Sequence, residues 1–434
     1  MSLLKLILAN EVFPALGCTE PAACAYAAAV AAEALGQSPC RLDLRVDVGT
    51  YKNGAAVAVP HCGGAKGNLI AAAAGAVLAQ PGRKLELLAE VTPAVLERAR
   101  ELVAGGAWSY QAIPRATEFR VEATVSAARG SARCVLSEGH ANIERIERDG
   151  APVYERSAAT AGPAAASYRA VLKEMSLADL VGSAMALDDD DREHLRQGVE
   201  MNLAMAQRGG EVQGAAFSLR LMHRSGILAD DLFYRVKTAV AGAVDARMAG
   251  LAQPVMTSGG SGNQGLLAVL APVLVGRERG IEPERILQSV ALAHVLNAYA
   301  KCHLGELSVI CGCAVAAGLA AAGAIVYQHA GADLAKISNA IQNVIADLSG
   351  LICDGAKPGC AMKTVSGVDA ALRAAFMAIE GFTISHEEGV LGRTAEQSIR
   401  NLGRVSLEGM LQVDPTLVEI LSRKAAAGGH KPAE

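Results

Sequence analysis

The period of the apolar positions changes about a third of the way along the chain. Up to residue 150 helical and strand periods alternate, and beyond it the helical one prevails. Residues 2–36 repeat Leu, Val and Ala at helical spacing, broken at Pro14 and Gly17. Arg41–Val48 (RLDLRVDV) alternates apolar with charged residues, as a strand with one buried face does. Ala55–Pro60 continues the alternation, and Tyr51-Lys52-Asn53-Gly54 between them ends in Asn-Gly, which predicts a hairpin. Gly63–Gly67 opens an alanine-rich helix that reaches Leu78. Lys84–Val91, Arg120–Ser126 and Ala132–Leu136 alternate as strands, with a helix at Ala94–Leu102. An α+β region with mostly antiparallel strands is the prediction.

Asp149–Ser167 (DGAPVYERSAATAGPAAAS) has no period and reads as a loop, dividing an N-terminal domain (1–165) from a second (166–434). Nearly every later segment is helical in spacing: 176–207, 211–224, 230–250, 264–277, 283–300, 308–329, 333–348, 366–379 and 394–412. The second domain is therefore predicted to be all-α, with Asp188–Asp191 as a solvated helix start and the tail KAAAGGHKPAE frayed.

Composition narrows the picture. Apolar residues make up 51% of the chain and aromatics only 3%, so alanine carries the difference and helices are expected to pack closely. The net charge of −4, with no basic stripe, argues against a nucleic-acid partner. Val309–Tyr327 is nineteen residues without a charge. Its Ala, Gly, Cys and Val are too weakly hydrophobic for a membrane span, so a buried helix is expected. MSLLKLILANEVF does not read as a secretory signal, and ten cysteines then imply a reducing cytoplasm where thiols stay free or hold metal.

Three of those cysteines stand out. Cys311 lies in LSVICGCAVAAG, and Cys353 and Cys360 flank the tight loop CDGAKPGC. The steps of 42 and seven residues match neither a compact ferredoxin run nor a zinc ribbon. A loop built from Gly355, Pro358 and Gly359 nevertheless aims two thiols at one place. Three thiolates on a four-iron cluster leave one iron open as a Lewis acid, and three on zinc leave a similar opening. Cys313 competes with Cys311, and the remaining cysteines read as core.

Three further motifs carry candidate chemistry. Thr257–Gly265 (TSGGSGNQG) fits G-x-G-x-x-G but lacks the βαβ frame of a dinucleotide site. At a helix start it makes a nest for a carboxylate, with Ser258, Gly259, Gly260, Ser261, Gly262 and Asn263 as substrate-binding candidates. Cys18 in GCTEP falls at a helix start, where the dipole lowers a thiol's pKa and suits it as a base or metal ligand. His140 and Asn142 occupy a loop after a strand and are candidate substrate contacts.

Taken together, ALGCTEP, VDVGTYKNG, SGGSGNQG and ICDGAKPGCAMK resemble the bacterial and archaeal L-cysteine desulfidases, relatives of the iron–sulfur L-serine dehydratase α chain. The resemblance runs from about residue 8 to 415. It implies a [4Fe–4S] cluster on Cys311, Cys353 and Cys360, with Cys18 as base or labile fourth ligand. The implied reaction is β-elimination, releasing hydrogen sulfide from L-cysteine and leaving pyruvate and ammonia. L-serine is the alternative substrate. No thiol follows Cys360, so the tail ligand of some dehydratases is missing. A pyridoxal-phosphate lyase using Lys357 or Lys363 and a non-enzymatic Fe–S or zinc sensor stay open as other readings. The alanine-rich helical surface points to a homodimer.

Overall fold

Arg41–Val46 forms a strand (β2) because Leu42, Leu44 and Val46 all reach one buried face, but its continuation is a helix. The computed structural model describes residues 2–113, 118–156, 163–305 and 307–427. Before β2 lie α1 (Leu3–Glu11), β1 (Pro14–Leu16) and α2 (Thr19–Leu35). After it come α3 (Val48–Gly54), α4 (Asn68–Leu78), a 3₁₀ segment at Pro81–Glu90 and α5 (Pro93–Ala104). Strands β3 (Trp108–Ala112), β4 (Arg120–Ser126), β5 (Ser131–Ser137), β6 (Ile143–Arg148) and β7 (Ala151–Glu155) complete a sheet ordered β3-β2-β4-β5-β6-β7. Only β2 and β3 pair in parallel.

The predicted hairpin at Asn53-Gly54 is not formed, and Ala55–Pro60 is not a strand. Asp47 explains the difference. Its carboxylate accepts from the Thr50 N–H (2.8 Å) and Thr50 Oγ1 (2.6 Å), which caps a helix where a turn was expected. The pairing that Ala55–Pro60 was expected to provide comes from β4. Lys84–Val91 is likewise 3₁₀ rather than strand: adjacent Leu87 and Leu88 are both buried, which a strand with one covered face cannot achieve. The expected loop at 149–167 holds β7, an edge strand exposed along its length and so without any alternation to read. Residues 157–162 of that loop and 428–434 of the tail lie outside the described residues.

The alanines of α2 and α4 allow close contact over the sheet. A Cβ on Gly75 would strike the backbone of Ala25, so the two helices touch there as no larger residue permits. Gly75→Ala is expected to cost about 1–3 kcal/mol, read as a lower urea midpoint.

Helices build the rest: α6 (Pro163–Glu174), α7 (Leu177–Met185), α8 (Asp189–Gln207), α9 (Ala215–Arg224) and α10 (Leu232–Met248). The short strand β8 (Pro254–Met256) pairs antiparallel with β1. Then follow α11 (Gly262–Glu278), α12 (Pro283–Leu304), α13 (Ala316–Ala330), α14 (Leu334–Leu348), α15 (Cys360–Ile379), α16 (Ala395–Arg404) and α17 (Val413–Ala427). As expected, Asp188 opens α8, in a capping box with Asp191. The uncharged 309–327 stretch is split: α13 is a buried core helix, while its first residues form a turn. Among the described residues no helix is long and apolar enough to cross a membrane.

The chain's two ends are exchanged between these bodies. Leu4, Ile7 and Leu8 of α1 belong to the helical core. Val418 and Leu421 of α17 pack on the core of the sheet region. That exchange brings residues distant in sequence to one cleft.

Candidate active site

The cleft, about 80 Å³, lies where the start of α2, the end of α3, the β5–β6 turn, the glycine loop and the thiol loops meet. Gly17 allows the entry: its φ of +68° and its contact with Pro60 leave no room for a side chain. Cys18 is the N-cap of α2, as expected from the sequence. Its thiol is not lowered by that position. Burial, and then the Glu20 carboxylate beside it, push it well above the ordinary value of 9.0, outweighing the pull of Arg247. The Cys18 Sγ–H donates to Glu20 Oε2 at 2.8 Å. Burial alone would raise Glu20, but His140 and hydrogen bonds from Cys18 and Asn53 hold it below its usual value.

Asn53 joins two walls. Its Nδ2 donates to Glu20 Oε1 at 2.8 Å, and its Oδ1 lies 3.9 Å from the Cys353 thiol. Behind it, Lys52 is buried and paired at 2.6 Å with Asp414 of α17. His140 lines the cleft and packs on Phe119 (ring centroids 4.5 Å apart), with its buried Nε2 lacking a hydrogen-bond partner. Asn142 instead closes the β5–β6 turn, where its backbone bonds Gly139 and Ser137.

The glycine loop is more committed than its sequence suggests. Gly259 and Gly260 have φ of +56° and +69° and turn the chain so that Ser258 and Ser261 bond each other through their backbones. Gly260 N–H donates to Glu11 O at 2.9 Å. Ser258 Oγ points away, accepting from Asn297 at 3.0 Å and meeting Nδ1 of His294 at 3.0 Å. Burial holds that imidazole neutral, its pKa down to about 3. Asn263 Oδ1 accepts from Arg247 at 2.9 Å, and the same guanidinium lies against Gly262 and donates to Gly17 O. Gly260 and Ser261 face the cleft; Ser258, Gly259, Gly262 and Asn263 shape the loop that presents them. The first-turn amides of α11 are the ones a helix leaves without intrahelical partners.

An isolated bridge between Ile310 and Ile352 sets the thiols side by side. Cys311 N–H donates to Leu351 O (2.8 Å) and Cys353 N–H to Val309 O (2.6 Å). Cys360 opens α15, and Gly355 (φ +98°) lets the loop lie on the backbone of Lys52. Cys313 stands close enough to feel Cys311, Cys353 and Cys360. Its hydrogen bond to Cys311, against the cost of burial, lowers Cys311 to about 7. Burial raises Cys353, and raises Cys360 to about 11. Cys313 and Cys353 line the cleft, while Cys311 is 4% exposed. Lys357 and Lys363 both pair with Asp354.

Among the described residues no three His, Cys, Asp or Glu side chains converge on a point suited to a single metal ion. A cluster offers each thiolate its own iron, so its ligands need not converge. The donor set of four neighbouring thiols with backbone N–H groups around them fits such a group. Cleft residues that were not singled out as candidates include Glu20 inside GCTEP, Asn53 inside an apparent turn, Gln264 inside the glycine motif, and Lys301 just past the helix expected at 283–300. Lys301 Nζ donates to Gly259 O, and Gln264 Oε1 is buried without a partner.

Residues 82–419 match the family model described as serine dehydratase alpha chain. The chain is also similar to the UPF0597 protein of Geobacter sulfurreducens, 46% identical over 424 residues that cover 98% of this chain and 99% of that one. The UPF0597 protein of Elusimicrobium minutum is 42% identical over 424 residues, covering 98% of this chain and all of the relative (100%). That of Caldanaerobacter subterraneus is 38% identical over 419 residues, 96% of this chain and 97% of the other. With the match covering β3 to β7, the glycine loop and Cys311, Cys313, Cys353 and Cys360, the chain belongs to the serine dehydratase alpha chain family.

Proposed function

We propose that this protein is an iron–sulfur lyase that eliminates hydrogen sulfide from L-cysteine, giving pyruvate and ammonia, with L-serine as the alternative substrate. The observation that carries this reading is the juxtaposition of Cys311, Cys313, Cys353 and Cys360 with a cleft that also holds Glu20, His140 and Lys301. Family membership adds support for lyase chemistry and for iron–sulfur ligation.

When bound, a [4Fe–4S] cluster supplies a Lewis-acidic iron that draws electrons toward the carboxylate or the leaving group. The chain's own groups do the rest. The Ser261 hydroxyl and the amides opening α11, on the loop that Gly260 turns, receive the carboxylate at the positive end of a helix. Cys18, in its thiolate form, is the proposed acceptor of the Cα proton. Its hydrogen bond to Glu20 fixes the thiol's direction, and burial of both groups excludes water from the transfer. The enamine released by elimination tautomerises and hydrolyses, which needs no further residue.

Cys353 and Cys360 are the proposed ligands together with one of the Cys311–Cys313 pair. Cys311 ionises most readily, but Cys313 shares the cleft wall with Cys353, and a cluster within reach of substrate would be held by thiols of that wall. The cleft position favours Cys313. Cys313→Ala is expected to lose most bound iron while Cys311→Ala keeps it, by anaerobic purification and iron assay; the opposite pattern restores Cys311. The function itself is tested by steady-state release of sulfide and pyruvate from L-cysteine against pyruvate from L-serine. A loaded protein that turns over neither is not this lyase.

A further inference from the structure

Glu20 sits in the first turn of α2, 6% exposed, and lines the cleft. Three donors reach its carboxylate: Asn53 Nδ2 on Oε1 at 2.8 Å, with Cys18 Sγ at 2.8 Å and Thr19 Oγ1 at 3.2 Å on Oε2. All three are uncharged. Among the described residues no lysine or arginine forms an ion pair with it, unlike Glu122, which is equally buried but has Arg45, Arg120 and Arg133 around it. A carboxylate accepts about four hydrogen bonds, so Oε1 keeps a lone pair for a donor that enters the cleft. His140 eases the charge of Glu20 without an ion pair among the described residues, and a buried anion so placed is completed by a cationic ligand.

The rest of the cleft gives the position meaning. Lys301 and Ser261 line the α11–α12 side, and Cys313 and Cys353 line a third wall. An anion, a cation with amide donors, and a thiol wall surround a space suited to a small zwitterion. Its ammonium, carboxylate and β-substituent would meet one wall each.

Resting on the lyase reading, we infer that Glu20 binds the α-ammonium group of the substrate and so restricts the site to amino acids over the corresponding hydroxy acids. It is a substrate-binding group, not a base. Asn53 and Thr19 are positioning residues that hold its carboxylate toward the cleft. Because Asn53 also touches the Cys353 thiol, the ammonium site and the thiol wall keep a fixed separation.

L-alanine and L-lactate test this directly. Each carries the carboxylate and a methyl group, neither has a β leaving group, and only alanine has an ammonium. Anaerobic calorimetry on the iron-loaded full chain should show L-alanine bound about 30-fold more tightly or better, the usual worth of a buried charged pair. Glu20→Gln should weaken L-alanine by about 30-fold and leave L-lactate within about threefold, with iron content unchanged. Glu20→Asp should keep the preference for alanine. Equal weakening of both ligands, or no weakening, would overturn the assignment and leave Glu20 as a structural acid. If Glu20→Gln fails to fold, the native protein decides alone: no preference for L-alanine over L-lactate sinks the proposal. A protein that prefers L-alanine but yields no pyruvate from L-cysteine or L-serine keeps the ammonium site and loses the lyase reading.

Discussion

Cys353→Ala is expected to remove iron and turnover together. Cys353 stands at the junction of everything the cleft contains: its N–H is fixed by Val309 O, its thiol lies against Asn53, and Lys52 runs behind the loop that carries it. A cluster ligand lost from the edge of that loop would leave Cys313 as the thiol on the cleft wall. Bound iron should fall from about four atoms per chain to below one, and the broad thiolate-to-iron absorption should go with it. Cys40→Ser, at an exposed thiol in the sheet region, should keep both and serves as the control. A Cys353→Ala protein with full iron and full turnover removes Cys353 from the ligand set.

The second large effect separates proton transfer from cluster binding. Cys18→Ser should retain iron while kcat falls by about 10²–10⁴-fold, the range a general base supplies. The pH profile gives an independent reading. Burial and Glu20 hold the Cys18 thiol well above 9.0, so the deprotonated form that accepts a proton grows as pH rises. For the free enzyme, kcat/KM is therefore expected to climb through neutral pH and past 9.0 where the native thiol is present. Cys18→Ser should flatten that climb. Substrate binding works in the same direction: an ammonium placed on Glu20 offsets the negative charge that helps to raise Cys18. Loss of iron in Cys18→Ser would make Cys18 a ligand instead.

Several parts of this site were legible before any coordinates. The helix start at Cys18, the turn carrying His140 and the break after Leu348 each depend on local rules of capping and turn formation. The Asn53-Gly54 pair misled because the same two residues suit a turn and a helix end. Asp47, capping from six residues upstream of Asn53, chose the helix. Glu20 was hidden inside a motif whose cysteine attracted attention, and Lys301 fell just past the helix expected at 283–300, which continues to Leu304. Ser258 and Asn263 were read as substrate contacts, yet their side-chain oxygens already meet His294 and Asn297, and Arg247.

By itself the sequence determined most of the helices and the strands at Arg41–Val46, Arg120–Ser126 and Ala132–Leu136, that alanine would let helices touch, and which thiols flank a tight loop. These follow from periods of two and 3.6 and from the side chain at a single position. Tertiary structure decided which donors remain open, which thiols face the cleft, and that Glu20 is buried beside neutral donors and His140. It did so because distant partners enter each of those properties: Asn53 lies 33 positions from Glu20 and 300 from Cys353. Burial fixes the ionisation of Cys18 and His294 for the same reason: a local dipole is a small influence beside the loss of water on every side.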